Sequence, residues 1–240
     1  MKKITTFYFF LFLLIGTSTF AQKEMKEGVI NMEITAIDSE NEQMAGMMQM
    51  MKGSEMSVSF NKDNSLMTMN MMGGMMKTRA LTKKDSKEMV TLIDAMGQKM
   101  MNKMSKDEVE KTKKQAKSAN MDVTYDKSDT KKILEYTCHK AIIKIPIPGQ
   151  EGQFVEMNAY VTDDIVLSES LMQGVEASQL KGTPLEYTVS MSQQGMAFSM
   201  TFTTTGIKTS VDKSVFDLNT EGYKEMTLEQ MQSMGGGMGF

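Results

Sequence analysis

Four residue types are scarce in this 240-residue chain, which has one cysteine, one histidine, three prolines and no tryptophan. One cysteine makes no internal disulfide, so the fold must rest on its apolar core. One histidine gives no zinc or catalytic cluster without several assisting carboxylates, and no carboxylate spacing here supports that. No G-x-S-x-G, P-loop, H-E-x-x-H or paired-carboxylate motif stands out, so the reading is non-enzymatic, with no cofactor and no metal site of that kind. Asp163 and Asp164 sit in what reads as a solvated turn.

The chain also lacks an apolar run long enough for a bilayer. Phe7–Ile15 is unbroken but short, against about 20 residues for a membrane helix. With Met1-Lys2-Lys3 before it and Thr19-Phe20-Ala21 after it, the run reads as a signal peptide over residues 1–21, cleaved near Ala21 to leave Gln22 first. No cysteine follows at the cleavage point for acylation. The expectation is a periplasmic or secreted protein that is not an integral membrane protein. Net positive charge is missing as well. Of 27 basic residues, losing Lys2 and Lys3 leaves 25 against 30 acidic ones, a mature charge of about −5, which argues against nucleic acid and against anionic lipid as partners.

Methionine is the abundant residue, at 30 of 240. Its side chain is flexible, polarizable and apolar, suited to irregular gaps and to adaptable binding surfaces. Roughly 220 mature residues suffice for one domain with a full core, expected here over 22–226.

Along the chain, Gly28–Ile37 alternates apolar and polar as a half-buried strand does. Ser39 to Glu42 has capping-box spacing and predicts a short helix to about Met51, with Met44, Met47, Met48 and Met51 on one face. Glu55–Phe60, Ser65–Met72 and Met75–Leu81 then read as a meander with turns at Asn61–Asn64 and Gly73-Gly74. Met67, Met69 and Met71 alternate along one strand and share a face. After a strand at Lys87–Ile93, the spacing by four of Met96, Met100 and Met104 predicts helix, and Ser105 to Glu108 forms a second capping box before a lysine-rich run. Gln98–Ser118 holds seven lysines against three acids, the composition of a solvated face.

Met121–Tyr125 reads as a strand and Asp126–Asp129 as a turn. Lys131–Ile147 carries the cysteine and the histidine, and reads as a central buried strand ended by Pro146 and, just beyond it, Pro148. Phe154–Val161 is a further strand, Ser168–Gln179 a short helix, and Gly182–Ser192 with Met196–Val211 a long hairpin around Gln193-Gln194-Gly195. Thr227 to Gln230 is a third capping box, and 227–240 is expected to be a short helix followed by a mobile Gly/Met-rich tail.

Three patches carry a resemblance. Ile133–Ala141 (ILEYTCHKA) is similar to a pattern L-G-Y-K-C-K-K-A, Leu180–Tyr187 (LKGTPLEY) to G-x-P-L-x-Y, and Val215–Lys224 (VFDLNTEGYK) to a closing F-x-x-P-x-G-Y-K. Together they resemble a Gram-negative family of exported proteins classed as domain of unknown function 4412 and related to the GLPGLI proteins. Glu135 stands where glycine is usual, and Asn219-Thr220 replaces the proline step. The resemblance implies a mainly β, LolA-like fold, a curled antiparallel sheet forming an incomplete barrel with covering helices. It also implies an acyl chain, other lipid or lipoprotein as cargo.

Cys138 and His139 are adjacent, so on a strand they face opposite ways and form no nucleophile–base pair. A buried thiol beside a surface histidine is the expectation. The methionines leave three readings open. A half-barrel lined by Met48, Met51, Met69, Met71, Met76, Met100 and Met104 would hold an apolar ligand. The M-x-x-M groups Met44/Met47/Met48/Met51, Met72/Met75/Met76, Met100/Met101/Met104 and Met231/Met234 would suit Cu(I), which thioethers select. An ordinary closed core would use methionine in place of leucine.

Overall fold

The computed structural model describes residues 23–39, 41–117, 121–146, 154–167, 169–172, 179–193, 196–227 and 229–230. The signal peptide expected over 1–21 and the tail expected beyond 230 lie outside these residues.

Period-two alternation becomes strand almost wherever it occurs. The strands are β1 (Lys23–Met25), β2 (Gly28–Ser39), β3 (Glu55–Phe60), β4 (Asn64–Met71), β5 (Met76–Lys83), β6 (Met89–Ala95) and β7 (Gln98–Met104). After them come β8 (Asp122–Ile133), β9 (Tyr136–Pro146), β10 (Phe154–Thr162), β11 (Ile165–Leu167), β12 (Thr183–Gln193), β13 (Met196–Lys208) and β14 (Lys224–Glu225). Among the described residues two α-helices of more than one turn interrupt them, α1 (Glu42–Gln49) and α2 (Lys106–Lys117). Twelve strands form one sheet in the order β14-β7-β6-β5-β4-β3-β2-β13-β12-β10-β9-β8, while β1 and β11 pair as a separate parallel ribbon. The sheet curls without closing into a barrel, the open antiparallel architecture expected. Among the described residues no helix is long and apolar enough to cross a membrane.

Two expectations change. Met100 and Met104 lie on strand β7, and Met96 stands in the turn before it. A spacing of four is also an even spacing, so it keeps residues on one face of a strand as well as of a helix. The helix begins only after Ser105, where the Glu108 carboxylate accepts from the Ser105 N–H at 2.8 Å and from its hydroxyl at 2.7 Å. The central element is also two strands. β8 runs through the expected turn by means of a bulge between Asp126 and Thr130, and the chain reverses at Leu134-Glu135 before β9. Leu134 takes φ 52° there without glycine to signal it. The helix expected over 168–179 falls largely outside the described residues, and Glu169–Met172 are not helical.

The main core fills the inner, concave side of one half of the sheet. Ile30, Met32, Ile34, Met56, Val58, Phe60, Ala141, Ile143, Met157, Ala159, Val161 and Phe202 are buried there. Each large side chain so removed from water is worth about 1.5–3 kcal/mol. Its cover is mixed. Met48 comes from α1, Met25, Ile165 and Leu167 from the β1–β11 ribbon, and Leu171, Met172 and Leu180 from the segment before β12. The Tyr187 hydroxyl, reaching up from the sheet, donates to the Leu171 carbonyl at 3.1 Å, and Thr183 donates to the Ile165 carbonyl at 2.8 Å. Lys84 ties the cover to the meander by pairing with Glu169 and donating to the Asn61 carbonyl at 2.6 Å. Strands β2 and β13 meet so closely at Gly28 that a Cβ there would lie 2.2 Å from the Lys208 carbonyl oxygen. Only glycine fits.

Candidate functional site

In an antiparallel sheet, directly opposed residues share a face, so register defines rows that cross the strands. One inner row is Met32, Met56, Met69, Thr78, Ile93 and Met100, on β2 to β7 in turn. On its rim side lies Met71, Met76, Ala95 and Gln98, and on its other side Val58, Met67, Ala80, Thr91 and Asn102. The row beyond is Phe60, Ser65, Thr82, Met89 and Met104.

The inner face of β4–β7 carries no charged residue. Lys77, Arg79, Lys83, Asp94, Lys99 and Lys103, the charged residues of these four strands, all occupy outer positions. Burial inverts the usual relation between charge and water. On the outer face Leu66, Leu81, Leu92 and Met101 are buried. The closing segment of the chain does this: Phe216 packs with Leu66 and Leu81, and Tyr223 accepts from Arg79 at 3.0 Å while Lys99 lies over its ring. On the inner face Met67, Met69, Thr78, Ala80, Thr91, Ile93 and Met100 remain partly exposed. An uncharged, apolar, concave surface therefore meets water.

The predicted lining separates accordingly. Met69 and Met100 lie on the partly exposed row, and Met71 and Met76 form a buried cross-strand pair at its rim. Met48, on α1, is buried against the core, and Met51 packs on the same core cluster as Met67 and Met69. Met104 is buried two rows away from Met100's row. Met67 and Ile93 complete the open surface, and Met32 and Met56 continue the row into the core; Met67 was placed from sequence on the face of Met69 and Met71, whereas Met32, Met56 and Ile93 were not named as lining. The M-x-x-M group Met100/Met101/Met104 does not form a cluster, because Met101 faces outward.

One polar atom at the closed end of this row is unaccounted for. Thr204, opposite Met32, is 2% exposed, and its hydroxyl has no hydrogen-bond partner. Such a group costs about 1–3 kcal/mol. A separate crevice of about 50 Å³ lies among Leu167, Leu171, Leu180 and Pro184. It is far below the roughly 300 Å³ at which ligand pockets begin, and it includes none of the predicted methionines.

Cys138 is fully buried against Ile133 and Leu185, and its thiol is pushed up to about 11 by burial first, then by Asp164 and Glu186. A thiol so held is not a nucleophile near neutral pH. His139 is partly buried rather than on the surface, with its ring 5.8 Å from that of Tyr125. Burial likewise raises the Tyr187 phenol. Among the described residues no three His, Cys, Asp or Glu side chains are grouped to hold a metal.

No family model and no curated protein matches the chain. Among solved structures, PNGF-II is similar with TM-score 0.43 and 12% identity over 87% of this chain, which spans 32% of that protein. The Mycobacterium tuberculosis lipoprotein LppX is similar with TM-score 0.41 and 10% identity over 78% of this chain and 89% of that one. Likenesses of this size carry no functional argument.

Proposed function

We propose that the chain is an exported, non-enzymatic binder or carrier of an acyl chain or other apolar ligand, held on the inner face of β4–β7. The observation that carries this reading is the uncharged, partly exposed inner face there, with every charge of the four strands turned outward. A methionine surface accommodates cargo of imprecise shape because the side chain is unbranched and polarizable. The orphan Thr204 hydroxyl offers a hydrogen bond to a carboxyl or ester end of cargo reaching the closed end of the row. The signal-like leader and the three patches similar to the unknown-function family 4412, with its LolA-like expectation, support export to the periplasm and lipid or lipoprotein cargo.

The test is binding of a fluorescent fatty acid to the purified mature chain, compared with Met69→Lys and Met100→Lys. Both positions are partly exposed, so the fold tolerates the change while the uncharged face is lost. A fall in affinity of at least about tenfold, or 1.4 kcal/mol, with an unchanged far-UV spectrum is expected. Equal binding by all three proteins overturns the placement, and no binding by any of them overturns the carrier reading.

A further inference from the structure

The methionines at the hairpin tips are used by neither the core nor the inner rows. Met72 and Met75 form the β4–β5 connection and Met96 the β6–β7 turn, and the two tips touch. The Met96 N–H donates to the Met75 carbonyl at 3.2 Å, and the Met75 N–H to the Met72 carbonyl at 3.3 Å. Met75 is 53% and Met96 79% exposed, and Met72 is partly exposed. Three long apolar side chains thus project into water from one hydrogen-bonded junction.

Local turn chemistry does not ask for them. Met96-Gly97 fills a two-residue hairpin loop with φ of 52° and 80°. Both central residues are left-handed, the geometry for which Asn-Gly and Asp-Gly are preferred. Met72, at φ 54°, is left-handed as well, a conformation unfavourable for residues other than glycine, asparagine and aspartate. Departures from local preference without a packing gain are expected where a side chain has its own task.

We propose that Met72, Met75 and Met96 form a thioether site for a soft monovalent ion, Cu(I) or its analogue Ag(I). Thioether sulfur is a neutral soft ligand that prefers Cu(I) to hard cations. The unbranched side chains swing freely, so three sulfurs tethered at adjoining backbones converge on one ion without moving the sheet. Two of the three belong to the M-x-x-M pair at 72 and 75, and the third comes from a separate hairpin that sequence spacing does not connect to it. The site lies outside the partly exposed inner row and is independent of the carrier reading.

The experiment is titration of the mature chain, carrying methyl-labelled methionine, with Ag(I) and, under reducing conditions, with Cu(I). At one equivalent the methyl signals of Met72, Met75 and Met96 shift together. In the triple variant M72L/M75L/M96L affinity falls at least about tenfold, or 1.4 kcal/mol, whereas Met50→Leu, at an exposed position in neither site, leaves it unchanged. Leucine at these positions preserves volume, and an unchanged thermal midpoint verifies folding. Uniform shifts across the exposed methionines, Met50 included, or equal affinity in the triple variant, overturn the proposal.

Discussion

Met32, Met56, Met69 and Met100 belong to one inner row, yet they meet two environments. On β2 and β3, Met32 and Met56 are 1% and 5% exposed beneath α1 and its neighbours. On β4 and β7, Met69 and Met100 are partly exposed, and the closing segment lies on the opposite face. The same residue type serves as core in one half of the sheet and as open lining in the other. Cover decides the role of a methionine here, and composition does not.

The largest effects should come from the covered half. Phe60→Ala removes a fully buried ring, and a loss of about 3–5 kcal/mol by chemical denaturation is expected, against under about 1 kcal/mol for Met100→Ala. Comparable losses would erase the distinction between the halves. Next is Tyr187→Phe, which leaves the buried Leu171 carbonyl without its donor. A loss of about 1–3 kcal/mol follows, with faster proteolysis between β11 and β12. A midpoint equal to wild type would show that the cover is held without that bond. The smallest effect has the opposite sign. Thr204→Val deletes an unpartnered hydroxyl, so the empty protein gains about 1 kcal/mol, while affinity for the fluorescent fatty acid falls. A gain in stability with unchanged affinity would leave Thr204 as a structural cost alone.

Local signals were the legible ones. Two of the three capping boxes appear where read: Glu108 folds back onto Ser105, and Thr227 and Gln230 bond reciprocally at 2.9 and 3.2 Å, whereas the Ser39 hydroxyl accepts from the Asn41 N–H at 3.2 Å. The β3–β4 turn forms around the Asn61 side chain, which accepts from the N–H groups of Asp63 and Asn64. The errors arose where local pattern was ambiguous. Met96, Met100 and Met104 satisfy helix and strand alike, and Leu134-Glu135 turns without glycine. Long-range facts had no local sign at all. Nothing near Phe216 or Tyr223 indicates that they sit on the back of β4–β7, yet that placement leaves the inner methionines open. The candidate lining was therefore found in part, as Met69 and Met100, while its boundary with the core was not.

An unclosed sheet keeps two free borders, and a free border invites another chain to add a strand. At one border β14 is two residues long and both are charged, Lys224 and Glu225. At the other, β8 is studded with Asp122, Asp126, Lys127, Asp129, Lys131 and Lys132 and broken by its bulge. Charge, brevity and irregularity are the devices that discourage edge-to-edge polymerisation. The molecule thus keeps its inner face open without becoming a template for its own copies.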